Sequence, residues 1–358
     1  MKQKIMIGLS GGVDSAVAAI LLKNKGYHLE ALFMKNWEED DTDNNCSAEE
    51  DFNDASNVAE KLGIKLHNVN FSDYYWDEIF KDFLIEHKKG RTPNPDVLCN
   101  QKIKFKYFLE HALNLGADKI ATGHYARIKK NSKYHLLTGI DTNKDQSYFL
   151  HLLNQQQLAK SIFPLGELKK SEVREIAKKY NLINAKKKDS TGICFIGEKN
   201  FQKFLNKYIN DKPGNIVDNR GNVLKKHNGI HYFTIGQRKG LQIGGISGSE
   251  NKPWFVVDKN TKTNEIIVSQ GDSPLLYHNI IITEKPHWIS NEPPLLPLKL
   301  TAKIRYRQQS KSCLLKNFKN NKLKVVFDEP QRAVTPGQSI VFYHNEVCLG
   351  GAIIDKRL

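Results

Sequence analysis

The six residues Ser10-Gly11-Gly12-Val13-Asp14-Ser15 follow the apolar run Lys4–Leu9 without a break and lead straight into Ala16-Val17-Ala18-Ala19-Ile20-Leu21-Leu22. A short apolar run, a pair of glycines and then a longer apolar stretch ending near Gly26 leave one economical reading: strand, tight turn, helix. Glycines let the chain turn sharply and present successive N–H groups, and the helix that follows adds its positive end. The turn is therefore a cradle for phosphate. It is not the G-x-x-x-x-G-K-[ST] loop of β/γ-phosphate hydrolases, because no lysine follows the glycines. A glycine turn capped by Ser10, Asp14 or Ser15 would account for part of the pattern, but it would not require all six residues.

The same alternation continues along the chain. "HLEALFM" precedes "EDFNDASNVAEKLG", "KLHNVNF" precedes another helical pattern, and "ADKIATGHY" reads as a further strand. Strand and helix in repetition predict a doubly wound α/β parallel sheet over residues 1–205. From 206 to 271 the pattern changes to short strands and turn signals, as in "IVDNRGNVL" and "EIIVSQGD", which predicts a small β-rich domain. From 272 to 358 period-two stretches such as "LKLTAKIRYR" and "LKVVFDEP" predict an antiparallel β-barrel.

Charge narrows the partner. Lys and Arg number 54 against 39 Asp and Glu, a formal net charge of +15, which asks for a polyanion, nucleic acid before an acidic membrane surface. A genome-driven excess of lysine would produce the same balance. Against it, "YFTIGQRKG" and "KIRYRQQSKS" interleave cations with aromatic and hydroxyl groups of the kind that contact phosphates and stack on bases. The five cysteines are odd in number and show no C-x-x-C, so neither a secreted disulfide scaffold nor a zinc ribbon is expected. A reducing, cytoplasmic compartment fits. The apolar start is too short for a signal segment and no run reaches membrane-spanning length, so a soluble protein with no membrane partner is expected.

Two cysteines stand in unusual company. "GRTPNPDVLCNQKIKF", residues 90–105, sets Cys99 three residues after Asp96 on a segment stiffened by Pro93 and Pro95. A helical turn after Pro95 would bring the acid and the thiol to one face. "KDSTGICFIG", residues 188–197, sets Cys194 between glycines that permit unusual backbone angles, after Lys186, Lys187 and Lys188, whose charge would favour the thiolate. A buried structural thiol is the plain alternative for Cys194. Cys313 and Cys348 read as packing or surface thiols. Cys46 lies in an acidic stretch that reads as a solvated loop, with cation binding as the minor option. His124, at a strand end, divides evenly between a nucleotide pocket and a structural hydrogen bond.

The order S-G-G-x-D-S resembles the pyrophosphate loop of ATP pyrophosphatases, whose fold is of the adenine nucleotide alpha hydrolase type. With "LFMKNWEEDD", "GRTPNPDVLCN", "ATGHYARI", "NKDQSYFL", "AKKKDSTGICFIG", "TIGQRKGL" and "RYRQ", the chain resembles the tRNA 2-thiouridylase family nearly end to end. That resemblance implies ATP with Mg2+ as cofactors, adenylation of the carbon-2 oxygen of the wobble uridine (position 34) of tRNA, and its replacement by sulfur from a cysteine persulfide, releasing AMP and pyrophosphate. It implies Cys99 as nucleophile, Cys194 as persulfide carrier and Asp96 as acid/base. Gly8, Leu9, Ser10, Gly11, Gly12, Val13, Asp14, Ser15, Met34 and Gly123 match the nucleotide-contacting positions. Asn94, Pro95 and Asp96 match the segment around the target base, and Lys144, Asp145, Gln146, Arg305 and Tyr306 match tRNA contacts. The partners implied are glutamate, glutamine and lysine tRNAs, a cysteine desulfurase and sulfur-relay proteins.

Other readings remain open on the residues alone. An amidotransferase-type adenylating ligase would use the loop but neither the paired thiols nor the basic β-rich part. A non-catalytic RNA-binding protein would use the charge but not the loop. An iron–sulfur cluster on Asp96, Cys99 and Cys194 would have few ligands.

Overall fold

Ile5, Met6 and Ile7 are all buried, as a central strand covered on both faces requires. In the computed structural model, which describes residues 2–38, 47–187, 201–244 and 252–358, they form strand β1 (Lys4–Gly8). It pairs in parallel with β2 (His28–Lys35) on one side and β4 (Lys119–Ala121) on the other, while β2 also pairs with β3 (Leu66–Asn70). A hairpin, β5 (Ala126–Lys130) and β6 (Tyr134–Thr138), leaves this sheet before β7 (Ser161–Ile162) returns to β4. The resulting order is β3-β2-β1-β4-β7. Strand addition reverses between β1 and β4, which makes the C-terminal ends of those two strands the crevice where ligands of such sheets bind.

Side-chain parity covers both faces. Ile5 and Ile7 pack with α1 (Val13–Asn24) and α2 (Ser47–Leu62), whereas Met6, between them, packs with Phe105 and Phe108 from the helical residues 95–114. The parallel doubly wound sheet expected from the sequence is present.

A second sheet of four strands holds β8 (Gly214–Asp218), β9 (Val223–His227), β10 (Trp254–Asn260) and β11 (Glu265–Gln270), in the order β10-β11-β8-β9. Beyond it come β12 (Tyr277–Thr283), β13 (His287–Trp288), β14 (Leu298–Lys303), β15 (Lys311–Phe318), β16 (Lys322–Arg332), β17 (Ser339–His344) and β18 (Val347–Arg357). Six of these run β12-β16-β15-β14-β17-β18, and β12 pairs with β18 to close an antiparallel barrel. Its interior is filled by Leu300, Ala302, Cys313, Leu315, Val325, Phe342 and Ile354. The barrel expected from period two is thus observed.

One feature crosses these units. β6 pairs with β18 through Leu137↔Val347 and Leu136↔Cys348, so a hairpin from the first stretch of chain extends the barrel's sheet. A single buried cluster runs with it, from Met6 and Cys99 through Ile216 and Ile266 to Val341 and Cys348. Among the described residues, no helix is long and apolar enough to cross a membrane.

Candidate nucleotide and thiol site

The phosphate cradle forms where β1 stops. Leu9 donates its N–H to the Leu32 carbonyl at 2.9 Å, and the chain then turns at Gly11, whose φ of +72° favours glycine. A β-carbon at Gly11 would lie 2.4 Å from the Asp51 carbonyl oxygen, so side-chain-bearing residues are excluded twice over. Gly12 caps α1 in an extended conformation, and the N–H groups of the first helical turn have no intrahelical acceptor. Ser15 ties the turn shut: its Oγ donates to the Gly12 carbonyl at 3.0 Å and accepts the Ser10 N–H at 3.2 Å. Leu9, Val13 and Ser15 are buried, so their side chains build the loop and only their backbones can serve a ligand.

The neighbouring strands complete the cradle. Gly123, just after β4, passes so close to α1 that a β-carbon there would sit 2.8 Å from the Ser15 nitrogen. Gly8 lies against the Phe108 ring and the Met34 methyl, which a β-carbon would meet at 3.3 and 3.4 Å. Gly8, Met34 and Gly123 thus bring β1, β2 and the post-β4 turn to one place at the sheet's switch point. His124 is a structural group: it shares a 2.7 Å hydrogen bond with Thr122, and burial, aided by Lys104, holds its imidazole well below the usual range and neutral.

Asp14, on the first turn of α1, has partners that no local pattern announces. The Lys170 ammonium bonds both its oxygens at 2.7 and 2.8 Å, and the Tyr125 hydroxyl donates to Oδ1 at 2.8 Å. Asn184 donates to the Gly11 carbonyl at 2.8 Å. Lys187 bonds Asp51 at 2.7 Å and Asp54 at 2.5 Å. Burial lowers the Lys187 ammonium, but its bonds to the two carboxylates outweigh that and leave it raised. Its charge is therefore committed to α2, not to a thiolate. Sequence separation conceals these residues, the nearest signal being the lysine run 186–188 itself.

The acid and thiol of the second motif share one short turn. Pro95 occupies the first position of a helical turn, Pro95–Leu98, after an extended Asn94, as suits a residue without an N–H. Cys99 then opens a π-helical stretch, Cys99–Tyr107, which continues as α-helix to Asn114. Widened turns of this kind recur at functional sites, and nothing in the sequence pattern signalled it. Cys99 is 1% exposed and Asp96 half-buried. Asn100 donates to the Asp96 carbonyl at 3.0 Å and to the Phe149 carbonyl at 3.5 Å. The Phe149 ring meets Tyr306 at a centroid distance of 4.5 Å, so the short helical turn Ser147–Leu150 and the loop after β14 converge on the thiol's neighbourhood.

The residues matched to tRNA contacts fall into two kinds. Asp145 is 4% exposed; its carboxylate accepts the N–H groups of Gly139 and Ser147 and the Lys303 ammonium at 2.9 Å. Gln146 accepts the Tyr125 N–H, and the Arg305 guanidinium turns inward to the carbonyls of Ala333 and Ile235 at 2.5 and 3.5 Å. Lys144 and Tyr306 are half-buried, and Arg307 lies 5.3 Å over the Tyr306 ring on the exposed side. Cys194, with Lys188, Gly192 and Gly197, lies outside the described residues, as does Cys46. Cys313 and Cys348 are buried, and burial pushes the Cys313 thiol up to about 12 and Cys348 further still; both are packing thiols.

Three family descriptions match this chain in succession: a tRNA methyl transferase HUP domain over residues 3–198, a PRC-barrel domain of the same family over 202–270, and an aminomethyltransferase beta-barrel domain over 278–354. Among curated proteins, the tRNA-specific 2-thiouridylase MnmA of Ruthia magnifica is 63% identical over 99% of this chain and 98% of its own length. That of Hydrogenovibrio crunogenus is 55% identical over 99% and 94%. Among solved structures, a 4-thiouridine synthetase in complex with RNA and ATP is 19% identical over 57% of this chain and 49% of that one, with a TM-score of 0.36.

Proposed function

The chain belongs to the tRNA-specific 2-thiouridylase family, and from that premise we propose that it thiolates carbon 2 of the wobble uridine of tRNA, as a tRNA-uridine 2-sulfurtransferase. The observation that carries this reading is a phosphate cradle and a buried thiol built into one unit. Phe108, which lies under Gly8 of the loop strand, belongs to the same helical run, beginning at Pro95, that carries Asp96 and Cys99.

ATP fits the cradle: the glycines admit close backbone approach, and among the described residues only the Ser10 hydroxyl lies near the position a β-carbon on Gly12 would take. When bound, ATP supplies the AMP group that makes the carbon-2 oxygen a good leaving group. The N–H groups at the start of α1, with Ser10, hold the departing phosphates, and Met34 and Gly123 line the strand ends around the nucleotide. Among the described residues, the carboxylates of Asp14 and Asp51 are engaged with Lys170 and Lys187; Mg2+, when bound with ATP, would offset the charge of the phosphates. Asp96 serves as acid/base at the uridine, with Asn94 and Pro95 shaping its approach.

Sulfur arrives on Cys194 as a persulfide, passed from a cysteine desulfurase through relay proteins. The Cys99 thiolate attacks the inner sulfur of that persulfide; the terminal sulfur takes the electron pair and leaves as hydrosulfide to attack carbon 2. The two cysteines are left as a disulfide, which a cellular dithiol reduces. The basic β-rich parts, over 206–271 and 272–358, bind tRNA, with glutamate, glutamine and lysine tRNAs the proposed substrates. Lys144 and Tyr306 face the RNA, and Asp145, Gln146 and Arg305 hold their loops in place.

The test is a reconstituted reaction with ATP, tRNA and a persulfide donor, with 2-thiouridine read by mass spectrometry. Wild-type protein yields 2-thiouridine, AMP and pyrophosphate. Cys99→Ser and Cys194→Ser yield no 2-thiouridine while still binding ATP and tRNA, and Cys99→Ser still loads sulfur on Cys194. Thiolation by the Cys194→Ser protein would overturn the assigned roles.

A further inference from the structure

The segment that carries Asp96 and Cys99 is clamped by the barrel. Gln338, half-buried in the turn before β17, donates its side-chain amide to the Thr92 carbonyl at 2.8 Å and reaches the Pro93 carbonyl at 3.3 Å. In return the Thr92 N–H donates to the Pro336 carbonyl at 3.0 Å, so both backbone groups of Thr92 end on one barrel turn. Gly337, at φ +95°, fits so tightly against this strand of chain that a β-carbon there would lie 2.9 Å from the Thr92 nitrogen. One residue earlier, Arg91 bonds Glu86 at 2.8 Å, Glu284 at 2.6 Å and the Ile354 carbonyl at 3.3 Å. Glu284 follows β12 and Ile354 lies in β18, so this anchor too belongs to the barrel.

The clamp ends three residues before Asp96. Between them Pro93 and Pro95 each fix φ near −65°, which leaves the chain little slack to absorb a shift at Thr92. A displacement there is therefore passed to the helical turn that bears the acid and the thiol.

We propose, building on the roles given above to Asp96 and Cys99, that Gln338 is a positioning residue for thiolation: the barrel turn at residues 335–338 fixes where the Asp96–Cys99 turn enters the site. Gln338 lies in the barrel, remote in sequence from both the acid and the phosphate loop; it acts through Thr92 and Pro93. The barrel thereby does more than offer a basic surface, since the geometry of the reacting groups depends on its seating.

The test compares full-length wild-type protein with Gln338→Met, which keeps the volume and removes the donor, and Gln338→Glu, which replaces the donor by an acceptor facing two carbonyls. In both variants the turnover number for tRNA thiolation falls on the order of 10- to 100-fold, the loss expected when reacting groups move by about 1 Å. KM for ATP stays within about twofold, because the phosphate loop is not touched. Under reducing conditions iodoacetamide alkylates Cys99 several-fold faster than in wild type, whereas Cys313 and Cys348 stay protected. Wild-type turnover together with wild-type Cys99 alkylation in Gln338→Met would overturn the proposal. So would equal gains in alkylation at all three thiols, which would report general loosening. If wild-type protein makes no 2-thiouridine, the functional reading fails, and the Cys99 alkylation comparison still decides whether Gln338 holds the segment.

Discussion

Asp14 was legible as a loop residue, but its partners were not. Lys170 and Tyr125 reach it from 156 and 111 residues away, and the pair is largely withdrawn from solvent, with side-chain exposures of 14% for Lys170 and 32% for Asp14. Lys170→Met would leave the carboxylate with the tyrosine hydroxyl as its remaining neighbour in this trio. We expect a stability loss of about 1–2 kcal/mol, read as a shift of the urea midpoint at constant slope. Adding Asp14→Asn should return part of that loss, because much of the cost lies in the carboxylate left behind. A double variant less stable than Lys170→Met alone would show that the carboxylate has other support. The same scale corrects the view of the lysine run 186–188: Lys187 neutralises Asp51 and Asp54, so it has no charge to spare for a thiol.

At the scale of elements, the strand–turn–helix start was written in the sequence because each step is local: an apolar run, a glycine that adopts positive φ, and an apolar helix. The hairpin β5–β6 was not, since its alternation fits any sheet edge and only pairing decides which one it joins. It joins β18, and Leu136, fully buried at that junction, packs in the cluster shared with Cys348 and Val341. Leu136→Ala should cost about 2–4 kcal/mol through lost burial and the cavity left behind. Because that cluster also holds Met6 and Ile120 of the parallel sheet, far- and near-ultraviolet dichroism should shift together in urea. A barrel that melted first, with the nucleotide sheet unchanged, would contradict a shared core.

Across the whole molecule, buried imidazoles couple the parts and make them sensitive to acid. His87, on the helix Lys81–Lys88, donates to the His231 carbonyl at 3.1 Å in the central unit. Burial holds it down to about 3 despite that bond, with Lys259 and His231 adding to the depression. His151, buried beneath the barrel strand β18 near Gly351, is likewise lowered by burial to about 4. Both bind protons less readily in the fold than in the unfolded chain, where the value is 6.5. Stability from this source is complete above pH 6.5 and drains as pH falls, towards 4 for His151 and towards 3 for His87, by about 2 kcal/mol for each imidazole at pH 5. Thermal midpoints at pH 7.5, 6 and 5 should fall accordingly, and His87→Gln should bind about one proton fewer on unfolding, flattening the decline. An unchanged slope in that variant would mean that His87 is protonated within the fold.

The sequence by itself determined the glycine turn after β1, the parallel sheet behind it, the antiparallel barrel and the helical turn that brings Asp96 and Cys99 close in the chain, because each depends on periodicity, glycine or a spacing of three residues. Tertiary structure alone decided that Lys170 holds Asp14, that Arg305 turns inward to the Ala333 and Ile235 carbonyls, and that Gln338 clamps Thr92 across 246 positions. Neighbouring residues constrain one another through backbone sterics, which a short stretch of sequence carries in full. Distant groups meet only once packing has met the entropy of closing the loop between them, and which polar side chain then finds which carbonyl follows from the shape of the assembled core.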